Sequence, residues 1–189
     1  MSSSPGIRAG WPKLAIRFVK ALPPPAGDEI LGRIGPARVK IRSASFLDYV
    51  EIGDFIAFAD ATLDVLGLVP ARELWRNVML EALRQPAVGE LVRRAGVDND
   101  QPAPLLERTA DAFRYVHRDC GRWIVEASAE TRSAVLTLDS APSVLAASAS
   151  MAAVYWGNVS AVFVALGVKA RVAVFPMPEA RRVLYKAHW

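Results

Sequence analysis

The sequence predicts an α+β fold in which an N-terminal helical half precedes a four-stranded antiparallel sheet crossed by one long buried helix. Apolar residues recur at helical spacing over roughly residues 25–117. Two pairs of short segments, within 121–139 and 170–189, instead alternate apolar and polar residues, as strands do. An uncharged stretch over 141–168 lies between the two pairs. We therefore expect two β-hairpins that share one covering helix.

Composition indicates one globular domain over residues 11–189, with a helical part over about 25–117 and a sheet-plus-helix part over about 121–189. Residues 1–10 are small and polar enough to predict a flexible tail. The net charge of +4 is too small and too mixed with acids to indicate nucleic-acid binding. A single cysteine, Cys120, excludes an intramolecular disulfide, and no secretory signal pattern opens the chain, so we expect a cytoplasmic protein.

Several helices are predicted within the N-terminal half. Residues 11–25 fit two patterns, because Trp11, Leu14 and Phe18 share a helix face while Leu14, Ile16 and Phe18 would share a strand face. A short helix is expected over 28–34 with its stop at 35–36, and a longer one from an N-cap at Ser45 to 66. Further helices are expected over about 70–84 and 102–116, with a turn or two over 88–95.

Positive charge is concentrated at the N-terminus, where residues 1–42 contain eight basic and two acidic side chains. Lys13, Arg17 and Lys20 would share one face if this segment is a helix. Such a face fits an acidic partner or a membrane surface. The alternative is a solvated helix face or edge strand, on which basic residues are ordinary.

The uncharged stretch over 141–168 is long enough for a membrane span but has the wrong composition for one. It is rich in Ala, Ser and Val, and Gly157 and Asn158 lie near its middle. Strand-like segments flank it on both sides. We therefore predict a buried central helix and no integral membrane span.

Signatures of nucleophilic, phosphate-binding and metal-binding chemistry are absent from the sequence, so we expect no catalytic residues, no enzyme activity and no cofactor. His117 and Cys120 have a spacing that could supply two metal ligands, with His188 or Asp119 as a third if the fold brings them together. Nearby arginines could also make Cys120 a reactive thiol. The alternative is a histidine at a helix end and a structural cysteine.

One turn of the uncharged helix is the main candidate for a ligand site or a subunit contact. Asn158 must find a partner inside an apolar helix, and Gly157 beside it allows another backbone to approach closely. The alternative is a core asparagine with all its hydrogen bonds made. The candidate ligand or interface residues are Tyr155, Trp156, Gly157, Asn158, Phe113 and Trp123.

The order of segments resembles an uncharacterised protein family described from myxobacteria and their relatives. The resemblance is carried by LDVLGLVPARELWRNVMLEAL, QPAVGELVRRAG, LLERTADAFRYVHRDCGRWIVE and the closing VLYKAHW, and it covers about residues 45–189. That family is distantly similar to a group that holds haem-nitric-oxide-binding domains, 4-vinyl reductase domains and TRAPP trafficking subunits. The resemblance implies a helical half followed by a small antiparallel sheet crossed by a long helix.

The functional residues of that group do not carry over. Haem-binding members have a Tyr-x-Ser-x-Arg motif for the propionates, and none of the four tyrosines here begins one. The cysteine-rich C-terminal pattern of the 4-vinyl reductase type is also absent. The resemblance would make His117 the axial ligand of a haem, but without the propionate motif.

The sequence thus favours a non-enzymatic, cytoplasmic binding or regulatory module. It would take an apolar small molecule or a partner protein between the helices and the sheet, and it would form a homodimer. Two alternatives stay open: a haem- or metal-dependent sensor or enzyme that uses His117 and Cys120, and a scaffold subunit of a larger assembly.

Overall fold

A computed structural model describes residues 4–85 and 102–189. The N-terminal half is mainly helical, as predicted, but it begins and continues with short strands. Its elements are, in order, β1 (Gly6–Arg8), α1 (Gly10–Lys20), α2 (Ala26–Arg33), α3 (Gly35–Ser43), β2 (Tyr49–Glu51), α4 (Ile52–Leu66), α5 (Leu68–Arg84) and α6 (Ala103–Val116).

The C-terminal half contains the predicted sheet and its covering helix. Its elements are, in order, β3 (His117–Arg118), β4 (Arg122–Ser128), β5 (Ser133–Asp139), α7 (Ser143–Ala146), α8 (Ala149–Ala165), β6 (Arg171–Met177), a 3-10 turn (Pro178–Ala180) and β7 (Arg182–His188). The four longer strands form an antiparallel sheet in the order β4-β5-β7-β6, so the two hairpins join through β5 and β7. The predicted α+β fold is confirmed.

The inner face of this sheet is set by alternation along its strands. Leu136 and Leu138 on β5 and Tyr185 on β7 are buried, while the residues that alternate with them along each strand face outward. Helix α8 covers the inner face and packs along α5 on its other side. Because it lies between the sheet and the other helices, α8 is buried on nearly its whole circumference, which explains the absence of charge in its sequence.

The uncharged stretch forms two helices where one was predicted over 141–168. The short helix α7 ends at Ala146, and Ser148 caps the next helix by accepting a hydrogen bond from the Met151 amide at 3.1 Å. A serine side chain that caps a helix start replaces a missing helical hydrogen bond, so the chain turns at this point. None of the helices within residues 4–85 and 102–189 is both long and apolar enough to cross a membrane.

The prediction of a flexible tail over residues 1–10 is wrong for residues 6–8. Gly6–Arg8 is the middle strand of a second, three-stranded sheet and pairs with Tyr49–Glu51 on one side and His117–Arg118 on the other. Ile7 is fully buried in this strand. A three-residue strand is too short to show alternation in the sequence, and its partners lie far away along the chain.

Of two helix boundaries predicted in the helical half, one is wrong. Helix α2 ends at Arg33, just before the stop predicted at 35–36, but a further helix, α3, begins directly at Gly35, because Pro36 lies in its first turn, where its missing N–H costs little. No helix begins at Ser45, because its amide donates to the Asp48 carboxylate at 2.6 Å in a loop before β2. Phe46, predicted on the inner face of that helix, is 60% exposed. The turn predicted over 88–95 lies outside the described residues.

The ambiguous N-terminal segment is a helix. Leu14, Ala15 and Val19 are buried on its inner side, and Arg17 and Lys20 are exposed on its outer side. This division is the amphipathic pattern of a helix that packs one face on a core. Lys13 is half-buried and donates to the main-chain carbonyl of Ala44, so it is engaged within the fold.

Candidate functional site

A cavity of about 120 Å³ lies between α6, α8 and the inner face of β4 and β5. Helix α6 supplies the longest part of its wall, and α8 and the sheet close the other sides. The wall residues are Trp11, Met79, Leu83, Leu105, Leu106, Arg108, Thr109, Ala110, Ala112, Phe113, Val116, His117, Trp123, Leu136, Tyr155, Asn158, Val159 and Val162. Most of these side chains are apolar, so the cavity favours an apolar occupant.

The face of helix α6 that the sequence predicts to point inward lies against the cavity. Leu105, Leu106, Thr109, Phe113 and Val116 recur at helical spacing, and all of them line the wall. The Thr109 hydroxyl donates to the Leu105 carbonyl at 2.8 Å, so it presents mainly its methyl group to the cavity.

Helix α8 contributes Tyr155, Asn158, Val159 and Val162, which are spaced by three, four and seven residues and therefore share one face. Among the sequence candidates, Tyr155 and Asn158 are thus brought together with Phe113 and Trp123 around one cavity.

The other two candidates of this turn lie on different faces of α8. A Cβ on Gly157 would come within 2.7 Å of the Arg76 backbone nitrogen, so this glycine allows α5 and α8 to approach closely. The Trp156 indole N–H donates to the Val172 carbonyl of β6 at 2.9 Å, and the Arg72 guanidinium lies 5.0 Å from its ring centre. Neither residue lines this cavity.

Aromatic rings form one end of the cavity wall. The His117 imidazole stacks on the Phe113 ring with centroids 3.8 Å apart and planes 12° from parallel. Trp123 meets Phe113 edge-on at 5.8 Å and Tyr155 edge-on at 5.6 Å. Edge-on contacts of this kind hold rings in fixed positions, so this end of the cavity has a defined shape.

The protonation state of His117 follows from its two hydrogen bonds. Its Nδ1 lies 3.3 Å from the Phe113 carbonyl oxygen, which can only accept, so Nδ1 carries the proton. Its Nε2 lies 3.3 Å from the Tyr155 hydroxyl and accepts from it. Burial lowers the pKa of His117 to about 3, against a smaller opposing effect of the Phe113 carbonyl. The ring is therefore neutral near pH 7.

Cys120 is a buried structural thiol in this fold. Its Sγ donates toward the carbonyl oxygens of Gly6 and Arg118, at 3.5 Å and 3.3 Å. Burial raises the pKa of Cys120 to about 11, so the reactive thiolate does not form near neutral pH. The arginine neighbours that suggested a lowered pKa are outweighed by this burial.

The three candidate metal ligands do not come together. His188 pairs with Ser133 and Arg171 at one end of the sheet, whereas Cys120 precedes the start of β4 at the other end. Within the described ranges 4–85 and 102–189, no group of three or more His, Cys, Asp or Glu side chains is arranged to hold a metal ion. The described residues therefore do not support the alternative in which His117, Cys120 and His188 form one metal site.

Among the described residues, Asn158 supplies the one buried side-chain acceptor of the wall that lacks a partner. Its Oδ1 is buried and accepts no hydrogen bond there. An amide oxygen without a partner costs about 1–3 kcal/mol when it is buried. A ligand that donates a hydrogen bond at this position would remove that cost.

Comparisons with known proteins bear on the fold. No family model matches the sequence, and no curated protein matches it significantly, so the narrower family resemblance stays a prediction. Among solved structures, the chain is similar to a crystal structure of a variant of the Fe(II) unliganded H-NOX protein from K. algicida. The TM-score is 0.65 at 12% identity, and the match covers 96% of each chain. The chain therefore has an H-NOX-like fold.

The residues present do not fit the haem that the sequence resemblance implies. Pockets for drug-sized ligands measure about 300–1,000 Å³, and a haem is at least that large, whereas this cavity measures about 120 Å³. Phe113 covers one face of His117, and Tyr155 occupies its Nε2. An iron ligand needs a free imidazole nitrogen, so His117 would first have to lose one of its hydrogen bonds.

Part of the cavity wall was missed from the sequence. Trp11, Met79 and Leu83 come from α1 and α5, and they join the wall only through the packing of those helices. The pattern shows that such residues point inward. It does not show that they meet the face of α8 on which Asn158 lies.

Proposed function

We propose that this protein is a non-enzymatic binding or regulatory module that takes a small apolar molecule in the cavity between α6, α8 and the sheet. The observation that carries the proposal is an apolar cavity whose wall holds a buried Asn158 Oδ1 with no partner among the described residues. The H-NOX-like fold supports a ligand-binding role.

The size of the cavity limits the ligand class. An engineered apolar cavity of about 150 Å³ in another protein binds benzene, so a cavity of about 120 Å³ fits a monocyclic aromatic or a short aliphatic molecule. Asn158 Oδ1 favours a ligand with one hydroxyl or N–H group. The neutral His117–Tyr155 pair is satisfied internally and therefore favours no charged ligand.

Titration with phenol and toluene, followed by the Trp123 indole signal in ¹H–¹⁵N spectra, tests the proposal. Both should shift this signal saturably. Val159→Phe should abolish the shift, because the larger ring fills the cavity. Val144→Phe is the matched control, since Val144 is 59% exposed on α7 and lines no part of the wall. A shift that does not saturate, or that survives Val159→Phe, would contradict the proposal.

Asn158→Leu separates the polar contribution from the apolar one. Phenol should lose roughly tenfold in affinity, the equivalent of about one hydrogen bond, while toluene binds as well or better. Equal effects on both ligands would show that Asn158 Oδ1 does not contact the phenol hydroxyl.

The haem sensor is the second candidate, and the H-NOX-like fold alone favours it. Mixing the purified protein with hemin and recording the visible spectrum tests it. We expect no Soret band that depends on His117. A band that disappears in His117→Ala would replace the small-molecule proposal by the haem one.

The predicted homodimer, partner protein and cytoplasmic location belong to the same proposal. Native mass spectrometry of protein purified from its source would distinguish three states: a dimer, an assembly with another chain, and a monomer with a bound small molecule. A stable complex with other chains and no small ligand would favour the scaffold alternative.

A further inference from the structure

A second cavity lies on the opposite side of α8 and differs from the first in size and charge. It measures about 250 Å³ and is bounded by α5, α8 and the segment that leads into β6. Its wall includes two cationic side chains, Arg76 and Lys169, and a hydroxyl, Ser160. None of the described residues that line it is acidic.

The Ser160 hydroxyl is the first sign of a ligand. Ser160 is only 8% exposed, and its Oγ is buried without a hydrogen-bond partner among residues 4–85 and 102–189. Hydroxyls in helices commonly donate to the carbonyl four residues earlier, as Thr62 and Thr109 do here at 2.8 Å. Ser160 makes no such bond, so its buried hydroxyl at the cavity wall has an unmet hydrogen-bonding capacity.

Arg76 is the second sign. Its Nε is buried and makes no hydrogen bond within the described part of the chain. One terminal nitrogen lies 3.9 Å from the Glu73 carboxylate, too far for a hydrogen bond. Gly157 allows the Arg76 backbone to approach α8 closely and so places this arginine at the cavity wall. A buried guanidinium Nε–H without a partner favours an anion.

The remaining wall is apolar. Phe163, Val164 and Val172 line it together with the Trp156 ring. One hydroxyl and two cationic side chains are too few to hydrogen-bond all the oxygens of a phosphate. The same three groups are enough for the two oxygens of a carboxylate. We propose that this cavity binds a small monocarboxylate with an aromatic or branched apolar body, held at its carboxylate by Arg76, Lys169 and Ser160. This site is separate from the first cavity and does not depend on the function proposed for it.

The Trp156 indole N–H reports on this site, because it lines the cavity and donates to the Val172 carbonyl at 2.9 Å. Its ¹H–¹⁵N signal, assigned with Trp156→Phe, is followed during titration with benzoate, with the neutral isostere benzamide and with inorganic phosphate. Benzoate should shift it saturably. Benzamide and phosphate should each need about tenfold higher concentrations for the same shift.

Variants of the cationic residues complete the test. Arg76→Gln and Lys169→Gln should each weaken benzoate binding by about tenfold, and Ser160→Ala should weaken it by about threefold. Arg171→Gln is the matched control, because it removes a nearby charge that does not line the cavity. Lys169 is exposed, so its variant keeps the test valid if Arg76→Gln does not fold.

Three results would overturn the proposal: no saturable shift of Trp156 with benzoate, equal binding of benzamide and benzoate, or unchanged benzoate binding in Lys169→Gln. A shift of the Trp123 signal without one at Trp156 would place benzoate in the first cavity. That result would refute the second site and leave the first proposal intact.

Discussion

The two sides of helix α8 differ in chemistry although the helix itself has no charged residue. On one side, Tyr155 and Asn158 face an apolar cavity whose polar pair is neutral. On the other side, Trp156 and Ser160 face a cavity with two cationic residues. The difference comes from what packs on each side, namely α6 on the first and Arg76 and Lys169 on the second. An uncharged central helix can therefore border two cavities of different charge, because its neighbours supply the charge.

Gly157 controls the spacing on which both cavities depend, and its substitution has the largest expected effect. In Gly157→Leu the Cβ would lie 2.7 Å from the Arg76 nitrogen and 2.8 Å from the Trp75 Cβ, so α5 and α8 must separate. We expect a loss of about 3 kcal/mol in the free energy of unfolding, measured with urea. Gly53→Leu is the control, since a Cβ there meets nothing within 4 Å. Similar losses in both variants would show that the helix contact is not tight.

The neutral state of His117 makes the first side sensitive to acid. Burial lowers its pKa from 6.5 to about 3 in the folded protein, so between these values the unfolded chain binds a proton that the folded one does not. The contribution of the neutral His117 to the free energy of unfolding is therefore fully present above about pH 6.5. Below that pH it declines by up to ~1.4 kcal/mol per pH unit. Urea unfolding at about pH 7.5 and about pH 4.5 should differ by about 2 kcal/mol.

His117→Gln is the control for that pH dependence, because glutamine does not titrate. The difference in unfolding free energy between the two pH values should shrink by most of its size. Asp48 and Asp139 have lowered pKa values in the folded state, so their stabilisation is lost only at lower pH. An unchanged pH dependence in His117→Gln would contradict the buried, neutral imidazole.

The sequence predicted the first side better than the second. Helical periodicity placed Leu105, Thr109 and Phe113 on one face of α6, and a change to alternation located β4 and β5. These are local patterns, and local patterns can be read from a single chain. The lone uncharged stretch between two hairpins likewise predicted the covering helix, although not the turn at Ser148.

The rest depends on pairings between distant residues. Arg76 and Lys169 are far apart in the chain, and only the packing of α5 against α8 brings them to one cavity. The strand Gly6–Arg8 holds the His117 end of the first cavity by pairing with β3, yet three residues carry no recognisable period. Non-local contacts of this kind leave no pattern in a window of sequence.

Tyr155 tests the hydrogen bond that completes the neutral pair. In Tyr155→Phe the Nε2 of His117 loses its donor at 3.3 Å and remains a part-buried acceptor without that partner. We expect a loss of about 1 kcal/mol in unfolding free energy at pH 7.5. Tyr115→Phe is the control, because Tyr115 is 63% exposed and its loss should cost nothing measurable. No loss in Tyr155→Phe would show that another group satisfies His117.

Ser160 should behave in the opposite way, and it has the smallest expected effect. Its hydroxyl has no partner within the described residues, so Ser160→Ala removes an unsatisfied polar group and should leave stability within about 0.5 kcal/mol of the parent or raise it. Ser150→Ala is the matched control on the same helix, since Ser150 is equally buried but donates to the Asp60 carboxylate. Ser150→Ala should lower the free energy of unfolding by about 1–2 kcal/mol, because the hydrogen bond to Asp60 involves a charged group. A loss in Ser160→Ala as large as that in Ser150→Ala, with no carboxylate present, would mean that Ser160 already has a partner and is not available to a ligand.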